Sequence, residues 1–100
     1  MEYSTLADVL ANWREFELDD SLYMPAGSEI SLDLAVNVLP FDPTRRRSFE
    51  GQVYLLGIEQ IRDVLAGLET QLGRAPSLTE RLKAIAHFVQ YDAFIPLSDL

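Results

Sequence analysis

The apolar residues change period several times along the chain, and each change marks an element. Over residues 4–16, Leu6, Val9, Leu10 and Trp13 fall at helical spacing on one face, with Ser4 or Thr5 placed to cap the start. Asp8 in the first turn and Arg14 in the last suit the helix dipole. The acidic stretch 17–20 ends that helix, and residues 21–24 form a short strand before the turn signal Pro25, Ala26, Gly27. Across residues 29–39, Ile30, Leu32, Leu34, Val36 and Val38 alternate with Ser31, Asp33, Ala35 and Asn37. This period of two is the cleanest strand signal in the chain, with one side facing the core and the other facing water or a partner. Pro40 and Pro43 end it, and residues 40–50 lack periodicity and read as an exposed connection. A second strand at 52–56 is expected to run antiparallel to the first. After Gly57 the spacing becomes helical through Ile58, Ile61, Leu65, Leu68 and Leu72, and Gly73 ends the helix. Ser77 and Glu80 make a capping box for a last helix, whose buried stripe is Leu78, Leu82, Ile85 and Val89, flanked by Ala86 and Phe88. Residues 91–95 add a short edge strand before Pro96. The pattern predicts an α+β fold: a small antiparallel sheet with about three helices packed on it, in a single domain over residues 1–100.

Composition agrees with one core. The chain has 100 residues, 48% of them hydrophobic, and a chain of that size buries enough surface to fold unaided. Eight basic residues against sixteen acidic ones leave a net charge of −8. Disorder needs high charge together with low hydrophobicity, and the second condition fails. Nonspecific nucleic-acid binding rests on Lys and Arg neutralising phosphates, so no nucleic-acid partner is expected.

The absent residues exclude many chemistries. There is no cysteine, hence no disulfide, thiolate zinc site or thiol nucleophile. His87 is the sole histidine, so His₂ and His₃ metal sites cannot form within the chain, and it lies inside a helical pattern where a structural or surface role is expected. The five glycines form neither GxG nor a P-loop. The first residues carry two acids and no base, unlike a signal peptide, and the strongest apolar run, 53–58, is too short to span a bilayer. The expectation is a cytoplasmic protein with no membrane partner, no catalytic residues, no cofactor and no metal.

One charge feature stands out. No base lies between Arg14 and Arg45, whereas Glu15, Glu17, Asp19, Asp20, Glu29, Asp33 and Asp42 are all acidic. A solvated face that aids solubility is one reading. An electrostatic docking face for a basic partner is another, with Glu17, Asp19, Asp20, Glu29 and Asp33 on a loop and a strand that lie side by side, so that their fields add; a catalytic carboxylate pair or a divalent-metal site is a third, for which no convergent set of groups is evident. Asp19 and Asp20 lack the spacing of a calcium loop. Arg45, Arg46 and Arg47 either pair with the acidic face from a solvated loop or grip a phosphate or carboxylate. Trp13, Tyr23, Tyr54, Phe88 and Phe94 read mostly as core, because no bases interleave with them.

Four segments together carry a resemblance: residues 6–10 (LADVL), 20–25 (DSLYMP), 56–58 (LGI) and 91–95 (YDAFI). The arrangement resembles small bacterial immunity proteins of contact-dependent inhibition and related polymorphic toxin systems, and it spans nearly the whole chain. The resemblance implies a protein without catalytic residues that binds one cognate toxin domain, often a nuclease, and blocks its active site or another functional surface. A basic nuclease suits an acidic inhibitor. The alternative is a generic protein-interaction or regulatory domain, homodimeric through the helix 58–72 seam. A toxin gene beside this one would discriminate between them.

Overall fold

A computed structural model describes residues 3–44 and 48–100. The elements are β1 (Tyr3–Thr5), α1 (Leu6–Ala11), β2 (Ser21–Pro25), β3 (Ala35–Leu39), β4 (Ser48–Phe49), β5 (Gln52–Gly57), α2 (Ile58–Leu72) and α3 (Leu78–Tyr91), with 3₁₀ turns at Trp13–Glu15 and Leu97–Asp99. The strands form one antiparallel sheet in the order β1-β3-β2-β5-β4. This is an α+β fold with three helices.

α1 begins where Thr5 caps it. The Thr5 hydroxyl accepts the Asp8 N–H at 3.2 Å, and the Asp8 carboxylate accepts the Thr5 N–H at 3.4 Å. Leu6, Val9 and Leu10 are buried, as their spacing predicts. The helix is shorter than the 4–16 pattern: Asn12 closes it by sending both its N–H and its side-chain amide to the Asp8 carbonyl, and Trp13 continues the apolar face from a 3₁₀ turn.

The alternation across 29–39 overstates its strand, which occupies only Ala35–Leu39. The reason lies in α1. The first N–H groups of a helix have no partner within it, and here the Leu6 N–H donates to Leu34 O at 2.8 Å and the Ala7 N–H to Leu32 O at 3.0 Å. Alternate carbonyls of the upstream segment therefore cap a helix instead of extending a ladder. The polar side of β3 also departs from expectation, because Asn37 is only 1% exposed. Its register partner Tyr23 is buried and meets the Tyr54 ring edge-on at 5.8 Å. The Asn37 amide nitrogen donates to Gln52 Oε1 at 3.4 Å, while its Oδ1 has no hydrogen-bond partner.

β5 does not pair with β3. Both flank β2, which places Leu22 between Val38 and Leu56. A bulge sits in β5: Leu22 faces Leu56 and Tyr23 faces Tyr54, so Leu55 is the extra residue. The bulge lets the consecutive Leu55 and Leu56 both reach the core. β4 falls in the stretch expected to be a connection. It joins β5 through Glu50 (φ 50°) and Gly51 (φ 76°), a two-residue hairpin loop with both positions left-handed.

One apolar cluster unites Leu22, Val36, Leu55 and Leu56 of the sheet with Leu6, Val9 and Leu10 of α1, Ile58, Ile61, Val64, Leu65 and Leu68 of α2, and Ala84 and Ile85 of α3. The α2 seam is thereby used inside the molecule and is not open to a second copy. α3 contributes less than its stripe suggested: Leu78 and Val89, at its two ends, are 37% and 38% exposed. Residues 91–95 are not a strand. Asp92 adopts the left-handed conformation and returns its N–H to Phe88 O, and His87 Nδ1–H donates to Ala93 O at 2.9 Å. No helix among the described residues is long and apolar enough to cross a membrane.

Two arginines fix α3. Arg81 donates through Nη1 to Leu10 O, at the end of α1, at 2.7 Å and through Nε to Pro76 O at 3.1 Å. Arg74 grips both Glu80 oxygens at 2.8 Å, while the Ser77 N–H donates to Glu80 Oε1 at 2.9 Å. The Arg74 hydrogen bonds first, and the Ser77 N–H next, hold the Glu80 carboxyl down to about 2.

Ile85→Ala is expected to cost about 2–5 kcal/mol in denaturant unfolding, the range for truncation of a buried aliphatic residue. Arg81→Met, which strands the Leu10 carbonyl, should cost about 1–3 kcal/mol. Because the Glu80 pKa is lower folded than unfolded, its stabilising contribution is complete above the ordinary carboxylate range, about 4.3, and fades as pH falls toward the folded value. An NMR titration should place the Glu80 midpoint near 2, and Arg74→Ala should raise it.

Candidate functional site

The acidic candidates do not gather on one surface. Asp20 immediately precedes β2, whereas Glu29 and Asp33 lie in the connection between the far end of β2 and the start of β3. The antiparallel register, Ser21 to Leu39 and Tyr23 to Asn37, carries that connection to the opposite end of the sheet. The two groups stand apart by the length of β2, about 17 Å at ~3.4 Å per residue. That is about twice the Debye length at physiological ionic strength, roughly 8 Å, so their fields do not add. The topology thus sets Glu29 and Asp33 apart from Glu17, Asp19 and Asp20 along the sheet.

The group at the start of β2 is a built turn. The Glu17 N–H donates to Asp20 Oδ2 at 3.3 Å, and the Asp20 N–H returns to Glu17 O at 3.0 Å. The Asp20 carbonyl accepts the first N–H of α2, from Ile58, at 2.9 Å. Glu17 and Asp19 are exposed, Asp20 is half-buried, and Leu18 between them is 48% exposed. An apolar side chain is thus displayed between two carboxylates on a loop tied to the sheet and to a helix. Glu59, exposed in the first turn of α2, follows directly on the residue that binds the Asp20 carbonyl. Neither Leu18 nor Glu59 stood out in the sequence, since an isolated leucine reads as core and a first-turn glutamate reads as a dipole partner. Glu29 and Asp33 are exposed at the other end.

The chain just before this turn carries one charge of each sign, Arg14 and Glu15. The Arg14 guanidinium lies over the Trp13 ring at 4.1 Å from its centroid and pairs with Glu69 of α2 at 2.9 Å. Trp13, Arg14, Arg62 and Ala66 line a shallow hollow open to solvent. Arg62 is partly exposed, but its Nε is shut off from solvent and has no hydrogen-bond partner. An unpartnered buried N–H of this kind costs about 1–3 kcal/mol.

Elsewhere, His87 is committed through Nδ1 to the turn after α3 and packs on the Tyr91 ring at 4.7 Å between centroids. Among the expected core aromatics, Trp13 and Tyr23 are buried, while Phe94 is 55% exposed. Arg45, Arg46 and Arg47 lie outside the described residues. Among the described residues, no group of three or more His, Asp or Glu side chains converges as a metal site would.

No curated protein and no solved structure matches the chain. Residues 3–97 match a family described as a domain of unknown function, DUF7716, and that span takes in every strand and helix of the fold, so the chain is a member of that family.

Proposed function

We propose that this protein is an inhibitor of the immunity type, which docks its acidic turn on a basic face of one cognate toxin domain. The observation that carries this reading is the turn at 17–20: an exposed leucine flanked by exposed carboxylates, held by hydrogen bonds to itself and to α2. Such a turn is pre-organised, so little ordering entropy is lost on binding. The carboxylates steer a basic partner into encounter, and a desolvated Leu18 supplies a short-range contact that slows departure. Glu59 widens the negative field at this end, while Glu29 and Asp33 stand outside it.

The partner to use is the polypeptide encoded next to this gene. Co-expression should relieve the growth arrest that polypeptide causes alone, and the two purified proteins should associate faster at low salt than at high salt. Reversing Glu17, Asp19 and Glu59 to Lys should slow association by roughly tenfold or more at low salt. Leu18→Ala should mainly speed dissociation, and reversing Glu29 and Asp33 should change neither rate. Persistent growth arrest with no complex would overturn the immunity reading. A complex indifferent to the charge of residues 17, 19 and 59 would show that another face makes the contact.

A further inference from the structure

Beyond Tyr91 the chain turns back on the helices instead of continuing along α3. Asp92 takes a left-handed conformation (φ 53°, ψ 39°). Ile95, 7% exposed, then joins the apolar cluster, where it shares a small groove with Val64, Gly67 and Leu68 of α2 and Ala84 of α3. We propose that residues 92–100 form a strap hinged at Asp92, which opens while the rest of the fold stays intact and so switches the α2–α3 groove between a covered and an uncovered state. This inference does not rest on the toxin-docking reading and concerns a different part of the molecule.

The strap is lightly held. Ile95 is buried and Leu100 half-buried against the core, whereas Phe94 and Leu97 are largely exposed. Phe94 leans on Phe88, with ring centroids 6.2 Å apart. Apart from the Asp92 N–H that caps α3, one hydrogen bond ties the strap to a helix among the described residues, from His87 Nδ1–H to Ala93 O at 2.9 Å, and no ion pair holds Asp92 or Asp99. The groove is also unfilled on its α2 side, since a Cβ placed on Gly67 would meet nothing within 4 Å. A gap of this kind forfeits dispersion contacts, so Ile95 is less firmly seated than the fully buried Ile61 and Ile85. The hinge is a single residue. The left-handed region disfavours residues with a Cβ, aspartate less than most because its short polar side chain bonds locally. With Asp92 in the right-handed helical conformation, α3 would run on and residues 93–100 would leave the groove. What they uncover is apolar: Val64, Leu68 and Ala84 are all buried while the strap is closed. The competing account is that residues 92–100 are an integral part of the core and separate only when the whole fold unfolds.

The chain contains no cysteine, so a single introduced thiol reports on one place. Ala84→Cys puts it on the wall of the groove, and Val36→Cys puts it in β3. Labelling by an aromatic disulfide reagent is followed in native buffer and at low denaturant. Each rate is compared with the one that the variant's own global unfolding allows. The proposal expects Ala84→Cys to label roughly tenfold or more above that rate, with little dependence on denaturant, because opening the strap exposes little surface. Val36→Cys should label only as fast as global unfolding. Asp92→Ala, which keeps the Cβ but loses the local polar contact, should speed labelling at residue 84 roughly fivefold, and Asp92→Gly should slow it. A rate at residue 84 equal to that of global unfolding would overturn the strap, as would a rate indifferent to both substitutions at 92. A rate that rises with Arg81→Met would also overturn it, since that substitution loosens α3 from α1 and would place the opening in the helix itself. Should Ala84→Cys fail to fold, Val64→Cys on the α2 wall carries the same test with the same outcomes.

Discussion

The rest of the fold depends on β2, a strand of five residues that must satisfy its backbone on both edges. β3 and β5 run in the same direction on either side of it, and Leu22 at its centre is fully buried between Val38 and Leu56. Each feature of interest is set by this strand. Its first residue receives the acidic turn, and the carbonyl just before it holds the first N–H of α2. The bulge opposite Leu22 and Tyr23 turns two successive leucines inward, so the sheet offers α2 more apolar surface than strict alternation allows. Helix, sheet and acidic turn therefore share one short stretch of backbone.

What the sequence made legible follows local physics closely. α2 is correct in both bounds, because its stripe is long, regular and closed by Gly73 in the left-handed conformation. The capping box at Ser77 and Glu80 is likewise where the residues place it. The errors arise where a distant partner outweighs the local signal. Residues 29–34 alternate like a strand, but the start of α1 claims the carbonyls of Leu32 and Leu34. β1 and β4, of three and two residues, are too short to show a period and exist only because a neighbouring strand supplies their hydrogen bonds. Leu78 and Val89 continue a helical stripe beyond the point where α3 leaves the core.

The same limit applies to the acidic residues. Their abundance is a property of composition, but their grouping depends on register, and register carries Glu29 and Asp33 away from Glu17 and Asp19. The arginine hollow was equally invisible, since Arg14 and Arg62 are 48 positions apart and meet only because Trp13 packs near α2. The surface near α2 consequently carries both signs: the carboxylate-rich turn lies a few residues after Arg14, which stacks on Trp13 and pairs with Glu69 of α2.

The bond from Arg81 to the Leu10 carbonyl links residues 71 positions apart. α1 has six residues, far below the length at which a helix persists by itself. It therefore takes shape only when its docking surfaces exist, and one of them, α3, comes after every strand in the order of elements. Until α3 docks, Leu6, Val9 and Leu10 lack part of the apolar cluster that buries them. Closing so long a loop carries an entropic cost that local helix contacts do not. The Arg81 bond consequently couples α1 to α3, and hydrogen exchange at the amides of α1 is expected to follow the opening of α3 rather than local fraying alone.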